Sequence, residues 1–112
     1  MSLAIRLMPE VVRTLGFAAI GVAYMGVGTS MTHPVRMLVL QNLTDALLMF
    51  SFNGIDDHLP LASNGYIILD ITANKTRNDG FFLAEGDRIY VKQVAAAPTI
   101  NGVYLTTLYG AE

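Results

Sequence analysis

Cysteine is absent from this chain of 112 residues, and so is tryptophan. Without cysteine neither a disulfide framework nor a thiolate metal site can form, so burial and hydrogen bonding must hold the fold. Charge is scarce as well: 14% of the residues are Asp, Glu, Lys or Arg, against about 25% in an ordinary soluble domain. Only seven residues are basic and the net charge is −2, which excludes the clustered Lys and Arg surface that nucleic-acid phosphates require. No serine sits in a nucleophile elbow, no glycine pattern cradles a phosphate, and no zinc or Ca²⁺ spacing occurs. The chain therefore does not read as an enzyme, and neither a cofactor nor a metal is expected.

What is plentiful is apolar surface. Hydrophobic residues make up 53% of the chain and the mean hydropathy is +0.46. A domain of this size buries roughly 60–70% of the surface its unfolded chain exposes. It cannot hide all of these side chains in one core, and some are expected to be covered by another molecule. Six methionines, which mould themselves to irregular contacts, favour a protein as the cover over lipid.

In chain order, residues 1–12 read as an extended arm, because MSLAIRLMPE lacks a helical period and contains Pro9. Leu3, Ile5 and Leu7 fall on one side of it, with Ala4 and Arg6 on the other. Residues 13–112 form the domain proper. The uncharged stretch Leu15–Met31 admits three readings: a membrane helix, for which it is short and glycine-rich; a cleaved leader behind Arg6 and Arg13; and a glycine-interrupted strand pair. The strand pair, Val11–Ala18 with Ala23–Val27, is the expectation, and Gly26 and Gly28 mark a bulge or a close backbone approach. Val35–Gln41 and Ala46–Phe52 read as a central hairpin around Asn42–Asp45, apolar on both faces and so in mid-sheet. Asn53-Gly54 is a strong reversal signal. Pro60 makes Leu59–Ala62 an edge, Tyr66–Ile71 is a strand, and Thr72–Gly80 is a polar loop. Phe81–Leu83, Arg88–Val94 and Val103–Tyr109 complete about eight short strands, with Ile89 and Val91 facing inward. The fold class is all-β: a single antiparallel β-sandwich or Greek-key, jelly-roll-like barrel with an N-terminal arm.

Asp56-Asp57-His58 is the one local cluster of ligand-type groups. Neighbouring side chains on a strand point to opposite faces, so capping of the loop after Gly54 is the expected role. The sequons Asn42-Leu43-Thr44 and Asn74-Lys75-Thr76 are made of ordinary turn residues. Exposed tyrosines such as Tyr24, Tyr90 and Tyr104 could stack on sugars, which leaves a carbohydrate-binding module as an alternative of a different class.

Several phrases, QNLTD at Gln41–Asp45, FSFNG at Phe50–Gly54, DITANK at Asp70–Lys75, DGFFLAEGDRIYVK at Asp79–Lys92 and VYLTTLYG at Val103–Gly110, resemble small β-rich accessory proteins of tailed-bacteriophage virions. No catalytic motif accompanies the resemblance. It implies a head decoration or cement protein that clamps major capsid subunits, located in the virion and assembled in the host cytoplasm. A tail or head–tail connector component is the near alternative. The expected partner is thus a virion protein, with a homodimer or homotrimer on the lattice, and neither nucleic acid nor membrane. Leu3, Ile5, Leu7, Met8, Tyr24, Met25, Met49 and Tyr90 are the apolar residues expected at the interface.

Overall fold

The computed structural model describes residues 6–70 and 86–111. The expected polar loop Thr72–Gly80, the strand Phe81–Leu83 and the second sequon lie outside the described residues, as do Leu3 and Ile5 of the arm.

The chain folds as an all-β sandwich of two antiparallel sheets. The larger contains β1 (Arg6–Pro9), β2 (Arg13–Gly16), β4 (Val35–Asn42), β7 (Tyr66–Asp70) and β9 (Gly102–Ala111). The smaller contains β3 (Met25–Gly26), β5 (Leu48–Ser51), β6 (Leu59–Leu61) and β8 (Tyr90–Gln93). β9 is the spine of the larger sheet. One side of it pairs with β4, and the other carries β2 on Gly102–Leu105 and β1 on Leu108–Ala111. The segment expected as an arm is therefore, over Arg6–Pro9, a strand laid on the protein's own sheet.

Alternation decides which side chains meet between the sheets. Leu38 and Leu40 of β4, Val103 and Leu105 of β9, Leu48 and Phe50 of β5 and Val91 of β8 are fully buried, with Ile89, Val27, Val35 and Met31 closing the core. Truncating the largest of them, Phe50→Ala, would cost roughly 3–5 kcal/mol through lost burial and the cavity left behind. Ile89 and Val91 point inward as the alternation predicts, and Pro60 lies on β6, an edge strand that needs no donor there.

Two expected pairings are corrected. Val35–Gln41 and Ala46–Phe52 are not a hairpin: β4 pairs with β7 and β9, whereas β5 pairs with β6 and β8 in the opposite sheet. Both strands do sit in mid-sheet, which accounts for their apolar character. Likewise Val11–Ala18 and Ala23–Val27 do not pair, because β2 joins β9 and β3 joins β8. Local turn signals mark where a chain reverses, and cannot distinguish a hairpin within a sheet from an arch between sheets. The reversal at Asn53-Gly54 is a true hairpin, joining β5 to β6 with Gly54 at φ +77°.

The glycines of the β3 region carry the expected close approaches. A Cβ on Gly26 would lie 2.2 Å from the Arg88 guanidinium carbon, and one on Gly28 would lie 2.6 Å from the Arg13 Cβ. Gly28 also has φ +66°, a conformation open to glycine at little cost. It lets the chain wrap around Arg13.

Candidate functional site

Between β1 and β2 the chain breaks at Glu10, and Arg13 turns inward from β2. Its guanidinium donates to the Thr29 carbonyl at 2.9 Å, the Ser30 carbonyl at 3.1 Å, Thr107 Oγ1 at 2.9 Å and Glu10 Oε1 at 2.6 Å. The second Glu10 oxygen accepts from Thr32 Oγ1 at 2.7 Å and His33 Nδ1 at 2.6 Å. The His33 ring in turn stacks on Tyr109 with centroids 3.6 Å apart and planes 4° from parallel. Burial on its own would raise the Glu10 pKa, but hydrogen bonds from His33, Thr32 and Arg13 and the charge of Arg13 outweigh it, lowering the value from 4.5 to about 2. A groove of about 480 Å³ runs beside this network, walled by Val11, Val12, Thr14, Gly28 and Thr29. The charges at its wall are satisfied by one another. The arrangement ties β1, β2, β9 and the Thr29–His33 loop together as a lock.

Asp56, Asp57 and His58 do not converge. Asp56 Oδ2 accepts from Asn53 Nδ2 at 2.9 Å, while Asn53 Oδ1 accepts the backbone N–H groups of Ile55 and Asp56, so the Asx-type cap of this loop comes from Asn53 and not from the Asp56-Asp57-His58 cluster. Asp57 turns instead to the Tyr24 hydroxyl, which donates a short hydrogen bond, and to Lys92 Nζ at 3.2 Å. Those two donors hold the Asp57 carboxyl below its ordinary pKa, and burial together with the Asp57 and Asp56 charges pushes the Tyr24 phenol up to about 12. His58 accepts the Phe52 N–H on Nδ1 at 3.0 Å and packs on the Phe52 ring. Among the described residues no group of three His, Cys, Asp or Glu gathers as a metal site would.

The phrase QNLTD builds the arch between the sheets. Asn42 is fully buried, and its Nδ2 donates to the carbonyls of Ala46, Leu61 and Ala62. Its Oδ1 accepts from the Thr44 N–H at 3.0 Å and the Thr44 hydroxyl at 2.6 Å. No glycan can be attached to an amide enclosed in this way, so the first sequon is structural. Asp45 reaches across to Thr99, accepting its N–H at 2.8 Å and its hydroxyl. This fixes the β8–β9 loop to the arch.

One end of the sandwich is poor in charge and rich in exposed apolar side chains. Four connections meet there: Phe17–Tyr24 after β2, the arch Leu43–Leu47, the turn Ala62–Gly65 and the loop Val94–Asn101. The Phe17 N–H donates to the Asn101 carbonyl and the Gln93 N–H to the Gly21 carbonyl, so these loops touch. Asp45 is the single charged residue in all four, and Thr99 holds it. Phe17, Val22, Leu47, Val94 and Ile100 are exposed there, Val22 at 80% and Ile100 at 53%. Val11 and its neighbour Val12 are exposed at the groove beside Glu10, and Ile55 is exposed singly elsewhere. No protein-family model, characterised protein or solved structure matches the chain.

The residues expected at an interface fall in several places. Leu7 lies on β1, and Met8, half-buried, follows it beside Tyr109 of β9. Tyr24, Met25, Met49 and Tyr90 lie on or beside the smaller sheet but do not share one face. Met25 pairs with the inward-facing Val91, while Met49 and Tyr90 alternate with the inward-facing Phe50 and Val91. Met25 is exposed on the edge strand, Met49 is half-buried opposite Lys92 and Pro60, and the ring of Tyr90 lies under the Gly54 turn. The apolar end was missed because its exposed residues come from three separate connections, none of them notable alone. The available signal was the coincidence of two uncharged stretches, Leu15–Met31 and Val94–Ala111.

Proposed function

We propose that this chain is a structural protein of a tailed-phage particle, a decoration or cement protein that seats its apolar end on a major capsid subunit. The observation that carries this is the cluster of Phe17, Val22, Leu47, Val94 and Ile100 on one end with no unengaged charge among them. Contiguous exposed apolar residues mark contact surfaces, and aromatic and aliphatic anchors form the centre of such contacts. The resemblance of its phrases to those of virion accessory proteins supports a virion protein as the class of partner. A repeated lattice site rewards a dimeric or trimeric clamp through multivalency.

The test is to add purified protein back to particles assembled without it. Val22→Asp and Ile100→Asp place a charge in the contact and change nothing buried in the core. Each should weaken attachment by about tenfold or more while circular dichroism stays unchanged. Attachment of both variants at parental strength would refute the reading.

A further inference from the structure

A second surface, on the outer face of the larger sheet, borders that end. β4 is apolar on both faces, and the face turned away from the core continues across its neighbours. Strand register places Tyr66, Gln41, Tyr104 and Thr14 in one row across β7, β4, β9 and β2. The next row holds Ile68, Val39 and Thr106. Neither row contains a charge. Tyr66 is 66% exposed and Tyr104 37% exposed, so both rings present area to solvent. They stand two strand spacings apart, roughly 9–10 Å, with the Gln41 amide between them.

We propose that this outer face of the larger sheet binds an extended, uncharged polysaccharide. The separation of the tyrosines is close to that of alternate rings in a β-linked pyranose chain, so two sugar rings stack on Tyr66 and Tyr104 while the ring between them lies over Gln41. The apolar faces of sugars are C–H surfaces that suit aromatic rings, and their hydroxyls need donors and acceptors, which Gln41, Thr14 and the tyrosine hydroxyls supply. A charge-free row accepts a neutral chain without desolvating an ion. The rigid strands hold the platform in place before the ligand arrives, which lowers the ordering cost of binding. Tyr24 and Tyr90 do not qualify. Tyr24 is tied to Asp57 under Lys92, whose Nζ lies 4.7 Å from the ring centroid, and Tyr90 is half-buried beneath the Gly54 turn.

The test is affinity electrophoresis of the isolated full chain through native gels cast with hydroxyethyl cellulose or glycol chitin, both neutral and β-linked. The parent should be retarded in at least one of them. Tyr66→Ala and Tyr104→Ala should each weaken binding by about tenfold. Tyr104→Phe, which keeps the ring, should lose much less, and Tyr24→Ala on the other sheet should behave as the parent. Absence of retardation of the parent in both gels overturns the proposal, as does equal loss in Tyr24→Ala. Loss of particle attachment in Tyr66→Ala and Tyr104→Ala without polysaccharide binding by the parent also overturns it, assigning the face to a protein contact. Because no particle is present in the gels, failure here leaves the proposed end-on attachment standing, and failure of attachment leaves this binding standing.

Discussion

Glu10 and Arg13 show how a nearly uncharged protein uses the charges it has. Both side chains are under 10% exposed, at 7% and 6%, so removing one partner strands the other in a place poor in water. Arg13→Ala should therefore destabilise by roughly 3–5 kcal/mol, far more than a surface pair would. The same lock predicts a pH dependence. Glu10 has its pKa lowered from 4.5 to about 2 in the folded chain, so its ionised form stabilises the fold fully above about 4.5, and that contribution is lost as pH falls from there towards 2. Urea unfolding of the parent and of Glu10→Gln at neutral pH and at about pH 3 should show a large gap between them closing on acidification. A gap that stays constant with pH would remove Glu10 as the titrating group. Asn42 is the neutral counterpart. Asn42→Ala removes a buried donor to three carbonyls and the acceptor of the Thr44 N–H and hydroxyl in the arch, and should cost roughly 3 kcal/mol or more, read as a lowered urea midpoint with an unchanged slope.

At the scale of elements, the strands themselves were legible and their partners were not. Period-two alternation located β4, β5, β7, β8 and β9 within a few residues, and the inward orientation of Ile89 and Val91 followed from it. Pairing failed where a turn signal had to stand in for topology. Asn42 to Asp45 looks like a hairpin turn, but its amide bonds to Leu61 and Ala62 as well as to Ala46, and those contacts, distant in sequence, fold it into an arch. The lock was equally hidden, since Glu10 and Arg13 lie far along the chain from His33 and Thr107, and pairing with β9 brings them together. The apolar end and the tyrosine row share that cause: each is assembled from segments whose proximity depends on register. The topology makes a prediction of its own. β4 and β9 are flanked on both sides, while β3 and β6 are short edges. Amide exchange should be slowest in Leu38–Leu40 and Val103–Leu105 and faster by orders of magnitude in β3 and β6. Uniform protection across both sheets would contradict this division.

At the scale of the molecule, the distribution of charge separates two modes of attachment. The end bearing Phe17, Val22 and Ile100 holds one carboxylate, already engaged by Thr99, while the Asp57 and Lys92 pair lies near Tyr24 on the smaller sheet. Contact through such an end removes apolar area from water and neutralises no ions. Its strength should therefore vary little as salt rises from low to physiological concentration, a change that shortens the Debye length to about 8 Å and weakens exposed ion pairs. Sulfate, which is excluded from protein surface, should tighten attachment, and mild urea should loosen it before the sandwich unfolds. A pelleting assay of protein with particles across sodium chloride, sodium sulfate and urea measures all three. Release by sodium chloride alone would show that complementary charge holds the chain in place and would move the contact away from the apolar end, towards the acidic and basic groups near Asp57, Lys92 and Arg88. Retention in chloride, with loss in Val22→Asp, would leave burial of that end as the force that seats the protein.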